Sequence, residues 1–259
     1  MKLIWSKYSF DFSKRTYLMG ILNVTPDSFS DGGQYFDSAL AVKRAQEMVE
    51  EGADIIDVGG ESTRPGSEPV PLEEEISRTI PVIEALAKDI KVPISIDTYK
   101  AGVAKRAMDA GASIVNDISG LRFDPEMPKV VSQYKVPVII MHIKGTPKNM
   151  QANPVYEALI PEIMDYLRES IRLAVESGIA EDKIIIDPGI GFGKTFDHNL
   201  EIIKNLREFT LLEKPLLAGV SRKAFIGKIL GDAPASERLE GTAAAVAISI
   251  LNGANIIRV

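Results

Sequence analysis

Glu50-Glu51-Gly52-Ala53-Asp54-Ile55-Ile56-Asp57, Asp109-Ala110-Gly111-Ala112-Ser113-Ile114-Val115-Asn116-Asp117 and Leu251-Asn252-Gly253-Ala254-Asn255-Ile256-Ile257-Arg258-Val259 are three versions of one phrase. Each ends a run of helical period, sets a Gly before an Ala, and opens a short β-branched run. Gly at a helix C-cap supplies the left-handed backbone that turns a chain from a helix into the next strand. The phrase therefore reads as an αβ connection, used repeatedly.

Outward from these three connections the same alternation fills the sequence. Candidate strands run over 17–22, 54–58, 93–97, 113–117, 136–141, 183–187, 215–220 and 255–259, eight in all. Seven helix-like segments lie between them, among them 38–51, 72–88 and 156–177. A βαβα order demands a parallel sheet, and eight similar units in 259 residues favour a closed (β/α)8 TIM barrel over an open doubly wound sheet. Nothing marks a linker, so residues 1–259 read as a single domain. The early segment 2–15 is expected to form a β-hairpin that plugs the amino-terminal mouth. The sequence stops at Val259 on the eighth strand. The expectation is a barrel without its last helix, whose exposed strand face a terminal segment or a partner must cover.

Composition narrows the chemistry. The chain has no Cys, which removes disulfides, thiolate nucleophiles and cysteine-based metal sites. Two His are too few for most histidine-rich metal centres, while oxygen donors remain able to hold a hard cation such as magnesium. A net charge of −6 argues against a broad nucleic-acid face. No apolar run is long enough to span a bilayer, and the opening MKLIWSKYSF lacks the apolar stretch of a secretory signal. A soluble, cytoplasmic enzyme without nucleic-acid or membrane partners is the expectation.

Asn23, Asp57, Asp97, Asn116, Met141, Asp187 and Ser221 each fall at or just beyond the carboxyl end of a candidate strand, the face on which barrel active sites are built. Any one Asp in such a place most often caps the following helix. The set is a different matter, because carboxylates and carboxamides converging in one funnel are costly to desolvate without a donor-rich ligand. An amino group beside a ring N–H gives a carboxylate two parallel hydrogen bonds. Pterins and guanines both offer that edge, and the residues alone do not separate them.

Six runs in order carry a family resemblance: NVTPDSFSDGG at 23–33, DVGGESTRPG at 57–66, SIDTYK at 95–100, NDISG at 116–120, DPGIGFGK at 187–194 and GVSRKAFIG at 219–227. Together they closely resemble dihydropteroate synthases. The resemblance implies a transferase of folate biosynthesis that joins 4-aminobenzoate to a (7,8-dihydropterin-6-yl)methyl diphosphate, giving dihydropteroate and diphosphate. Carried over by motif, Asp97, Asn116, Asp187 and Lys223 would hold the pterin, with Met141 and Ile118 as apolar ring contacts, although those two residue types suit a core equally. Asn23 would coordinate magnesium, and Thr63, Arg64 and Arg258 would face the diphosphate; Arg258 would also reach the pterin. Phe29, Pro65, Phe192, Ser221 and the stem of Lys223 would form the 4-aminobenzoate slot, where the two Phe could instead be packing residues.

The resemblance further implies a homodimer and competition by sulfonamides. No covalent nucleophile stands in these motifs, so the expected chemistry is dissociative, with Asp97, Lys223 and Arg258 as the catalytic set. After the position of Arg258 the family continues with His, Asp and a final helix, so the anion site is expected to be incomplete in this sequence. Two rival readings share the pterin floor: a barrel passing a methyl group from methyltetrahydrofolate to a corrinoid, and a pterin-binding relative without turnover. The first is not expected to carry the NVTPDSFSDGG, ESTRPG and SRK loops together.

Overall fold

The computed structural model describes residues 1–25 and 38–259. A two-stranded antiparallel hairpin, β1 (Lys2–Trp5) and β2 (Tyr8–Asp11), precedes eight parallel strands. These are β3 (Tyr17–Asn23), β4 (Ile55–Gly59), β5 (Ile94–Asp97), β6 (Ile114–Asp117), β7 (Val138–Met141), β8 (Ile184–Asp187), β9 (Leu217–Gly219) and β10 (Ile256–Arg258). They pair in the order β8-β7-β6-β5-β4-β3-β10-β9. A single parallel bridge, Ile186 with Leu216, joins the two ends and closes the barrel.

Around it lie α1 (Ser38–Glu50), α2 (Leu72–Asp89), α3 (Ala101–Ala110), α4 (Met127–Tyr134), α5 (Leu159–Glu176), α6 (Phe196–Lys204), α7 (Ala224–Ile229) and α8 (Leu239–Leu251). The barrel and its strands fall where the sequence pattern places them. The connection from β9 to β10 holds two helices, not one, because Gly231 through Pro234 interrupts the helical run between α7 and α8.

The repeated phrase explains the closure at atomic level. Gly52, Gly111 and Gly253 take φ of 109°, 113° and 101°, values that side chains disfavour. In each case the next amide, Ala53, Ala112 or Ala254, donates to a carbonyl five residues back: Met48, Ala107 or Ser249, at 2.8–3.0 Å. The amide after that, Asp54, Ser113 or Asn255, donates at 2.8 Å to Leu18, Ile94 or Leu216 on the adjacent strand segment. One tripeptide thus ends a helix and sets the register of the strand that follows.

Alternation along the strands divides the molecule into two cores. Outward residues such as Ile56, Val58, Ile96, Val115, Ile140 and Ile186 pack under the helices. Inward residues at the amino-terminal end, including Met19, Ile55, Ile114, Ile139, Ile185, Leu217 and Ile256, meet Leu3, Trp5 and Phe10 of the hairpin. Phe10 stacks on Tyr17 with centroids 4.1 Å apart, and Trp5 meets Phe10 edge-on at 5.2 Å. The hairpin is the expected plug, and it seals the lower mouth with apolar surface. Two residues further along the same inward faces the side chains become polar. Asp57 follows Ile55, Asn116 follows Ile114, Asp187 follows Ile185 and Arg258 follows Ile256. A period of two therefore converts a dry base into a polar upper layer.

Candidate active site

Arg258 stands at the centre of that upper layer. Its Nε donates to Asp57 Oδ2 at 2.7 Å and its Nη2 to Asp97 Oδ2 at 2.5 Å. Asn116 Nδ2 donates to the same Asp57 oxygen at 3.0 Å. Asp57 and Asp97 are 1% and 9% exposed, and the Oδ1 atom of each is buried without a partner in the described structure. Ser95 Oγ, on the inward face of β5, is orphaned in the same way. Buried carboxylate oxygens are pure acceptors, so two unsatisfied ones in a funnel call for N–H donors from a ligand.

Burial raises the pKa of Asp97 to about 7, against the pull of Arg258 and with help from neighbouring Asp57. Burial also raises Asp187, which is held back by Lys223 and by the Gly189 amide donating to its Oδ1 at 2.7 Å. Lys223 is pushed down to about 8 by burial, with Asp187 opposing and Arg258 adding to the shift. Burial works against the Arg258 charge too, but Asp57 and Asp97 outweigh it and hold its pKa above the ordinary arginine value. The funnel is a set of mutually dependent charges whose protonation a bound heterocycle can redistribute.

Above this layer, Ile118, Met141, Ile143 and Met150 form a small buried apolar cluster with Tyr99 and Phe192 packed against it. Met141 and Ile118 are each 3% exposed and pack in this cluster; the cleft is lined by their neighbours Met150 and Phe192. Lys223 Nζ lies 4.9 Å from the Phe192 ring centroid and donates to the Ile190 carbonyl. Asp97, Phe192, Ser221, Lys223 and Arg258 line one cleft, whose mouth carries Asn23, Thr63, Arg64 and Pro65. Asn23 is exposed at the end of β3. A Cβ on Gly59 would sit 3.7 Å from its Oδ1 and 3.8 Å from Asp97 Oδ2, so the missing side chain at Gly59 opens the space between them. Phe29 lies outside the described residues.

The cleft continues over the outer face of β3 and β10, past Leu18, Met48, Val246 and Ile257. Among the described residues no group of three or more His, Asp or Glu is gathered to hold a metal ion.

Some of the machinery is not assigned by sequence reasoning. Asp57 is noted there only for its place at a strand end, yet it joins Arg258 to Asn116. Lys100 donates at 2.5 Å to both Glu61 and Glu75 and at 2.7 Å to the Val70 carbonyl, and Tyr99 OH donates to Glu61 at 2.7 Å. This buried triad ties the loop carrying Thr63, Arg64 and Pro65 to α2 and to the end of β5. Glu61 and Lys100 sit inside two separate quoted motifs and Glu75 lies on the apolar face of α2, so no single motif contains the contact. Lys194 and His142, 2% and 4% exposed, meet at 2.8 Å behind Phe192.

Comparison with known proteins agrees with this geometry. The family described as Pterin binding enzyme matches residues 19–259. A dihydropteroate synthase of Synechocystis sp. is 51% identical over 250 residues, covering 96% of this chain and 86% of its own length. The structure of a Yersinia pestis dihydropteroate synthase with a sulfonamide drug superposes with a TM-score of 0.94 at 43% identity, covering 100% of this chain and 93% of that one. That of the Xanthomonas albilineans dihydropteroate synthase with 4-aminobenzoic acid gives 0.93 at 40% identity, covering 99% and 91%.

Proposed function

The chain belongs to the pterin-binding enzyme family as a dihydropteroate synthase, and from that premise we propose how its residues divide the reaction. The carbon–oxygen bond to diphosphate breaks first and leaves a cation delocalised into the dihydropterin ring. The 4-aminobenzoate amine then forms the carbon–nitrogen bond at the methylene carbon and gives its proton to the released diphosphate or to water. The observation that carries the assignment to this funnel is the pair of orphaned oxygens, Asp57 Oδ1 and Asp97 Oδ1, buried beside Arg258 and Asn116. A dihydropterin brings amino and ring N–H donors to such acceptors.

In this reading Asp97, Asn116, Asp187 and Lys223 bind the pterin, with Ile118 and Met141 against the ring. The Asp97 carboxylate, paired with Arg258, favours the positive charge that develops on the ring. Arg258 lies between that charge and the departing diphosphate, which Thr63 and Arg64 receive at the mouth. Phe192, Ser221 and the Lys223 stem orient 4-aminobenzoate, with Pro65 and Phe29 completing the slot. The carboxamide oxygen of Asn23 suits a hard cation such as magnesium, whose other ligands would come from diphosphate and water. Such an ion would neutralise the leaving group.

We also propose that the enzyme is cytoplasmic and works as a homodimer. No described helix is long and apolar enough to cross a membrane. Helix α8 leaves Leu239, Ile248 and Leu251 exposed at 59%, 47% and 74%, apolar surface spread around the helix that a second copy would cover in part. Sedimentation of the purified chain as a monomer at all concentrations would sink the dimer. The catalytic reading is tested by diphosphate release measured with each substrate alone and with both. Sustained turnover only with both, suppressed by a sulfonamide in competition with 4-aminobenzoate, is expected; many turnovers of diphosphate release without 4-aminobenzoate would overturn the synthase reading.

A further inference from the structure

We propose that Lys194 and His142 are a buried positioning pair that fixes Phe192 and thereby sets the affinity for 4-aminobenzoate. This deepens the slot assigned above and rests on it.

The loop from Gly189 to Gly193 lies between β8 and α6. Four consecutive carbonyls on it are each held by a side chain: Ile190 by Lys223, Gly191 by Gln151 at 2.9 Å, Phe192 by Lys194 at 2.8 Å and Gly193 by Tyr156 at 2.7 Å. Asn199 Oδ1 accepts the Gly191 amide at 2.6 Å. The loop also lies hard against the segment after β7. A Cβ on Gly189 would come within 1.9 Å of the His142 carbonyl oxygen, and one on Gly193 within 2.6 Å of that of Lys144. Backbone held this closely, with its carbonyls satisfied one by one, forms a rigid platform.

Lys194 is the unusual member. Its ammonium-bearing carbon chain is buried, and its two bonded partners, His142 Nδ1 at 2.8 Å and the Phe192 carbonyl, carry no charge. Enclosing a lysine among neutral acceptors costs stability that an apolar side chain would not. Burial holds His142 down at about 2, so its ring is neutral, and the tautomer with the proton on Nε2 leaves Nδ1 to accept from Lys194. What the arrangement secures is the backbone at Phe192. The Phe192 ring then sits between the Lys223 ammonium and the cluster of Ile118, Met141, Ile143 and Met150. Loss of the Lys194 bond frees the one aromatic wall described in the slot, while Asp97, Asn116 and Asp187 keep their hydrogen-bond partners on the pterin floor; on Asp187 the Lys194 charge acts only behind Lys223, the Gly189 amide and Arg258.

The test is steady-state kinetics on the full chain with both substrates varied. Lys194→Met should raise the KM for 4-aminobenzoate and the inhibition constant of a sulfonamide on the order of tenfold, the effect of about one buried hydrogen bond. The KM for the pterin diphosphate should stay within about twofold. In a Phe192→Ala background the same change should add almost nothing. Equal rises in both KM values, or no rise in that for 4-aminobenzoate, overturn the positioning role. Phe192→Ala with an unchanged 4-aminobenzoate KM overturns the slot, and the pair with it; a rise there without one in Lys194→Met overturns the pair alone. Should Lys194→Met not fold, His142→Leu removes the other acceptor of Lys194 together with the ring contacts to Tyr156 and Tyr166, and must show the same split between the two KM values.

Discussion

Asp57 and Asp97 share one guanidinium, so a change at either alters the charge seen by the other. Asp97 and Asp187 nevertheless face different duties. Asp97→Asn is expected to lower kcat far more than it changes the KM for the pterin diphosphate, whereas Asp187→Asn should chiefly weaken pterin binding. Matching kinetic profiles for the two variants would refute that division. The same residue makes a prediction about pH. Burial raises Asp97 from 3.8 to about 7. Between those values the folded chain holds a proton that the unfolded chain has released, so stability falls as pH rises through the window. The ligand-free protein should therefore gain stability from Asp97 on passing from about pH 8 to about pH 5, by at most about 3 kcal/mol. Urea midpoints across that range should show a flatter profile for Asp97→Asn than for the parent.

Single elements carry the slot and the plug. The loop after β4 bears Thr63, Arg64 and Pro65, and its root is Glu61 clasped by Lys100. Lys100→Met would leave Glu61 and Glu75 buried without their cation, at a cost of about 3–5 kcal/mol. A denaturation midpoint unchanged by that substitution would show that the triad does not anchor the loop. The hairpin β1–β2 contrasts with it, because it lies at the far mouth. Phe10→Ala should destabilise by about 3–5 kcal/mol through lost burial and stacking, yet leave kcat/KM unaltered at temperatures where the variant is folded. Trp5, the one Trp in the sequence, is buried in that plug, so its fluorescence reports the hairpin's release directly.

Across the whole molecule, the sequence was legible where physics acts locally. The Gly-Ala phrase announces three αβ turns, and all three make the same hydrogen bonds. Inward alternation places Asp97, Asn116, Asp187 and Arg258 in one funnel because strand period and parallel register leave them no other side. Pairings across distant loops were not legible: nothing in the spacing of Lys100, Glu61 and Glu75, or of Lys194 and His142, states that they meet. The split of the last connection into α7 and α8 was likewise hidden, because Gly231 to Pro234 resembles an ordinary turn. Strands β7 and β8 are laced by four residue pairs, but β8 meets the next strand only where Ile186 joins Leu216. Asp187 stands on one lip of that seam and Lys223 follows the other. A pterin grasped by both would act as a rivet across the weakest joint of the cylinder. Its arrival should slow hydrogen exchange at the Ile186 amide, which donates to Pro215 at 2.9 Å, more than at Ile140 in the fully laced wall.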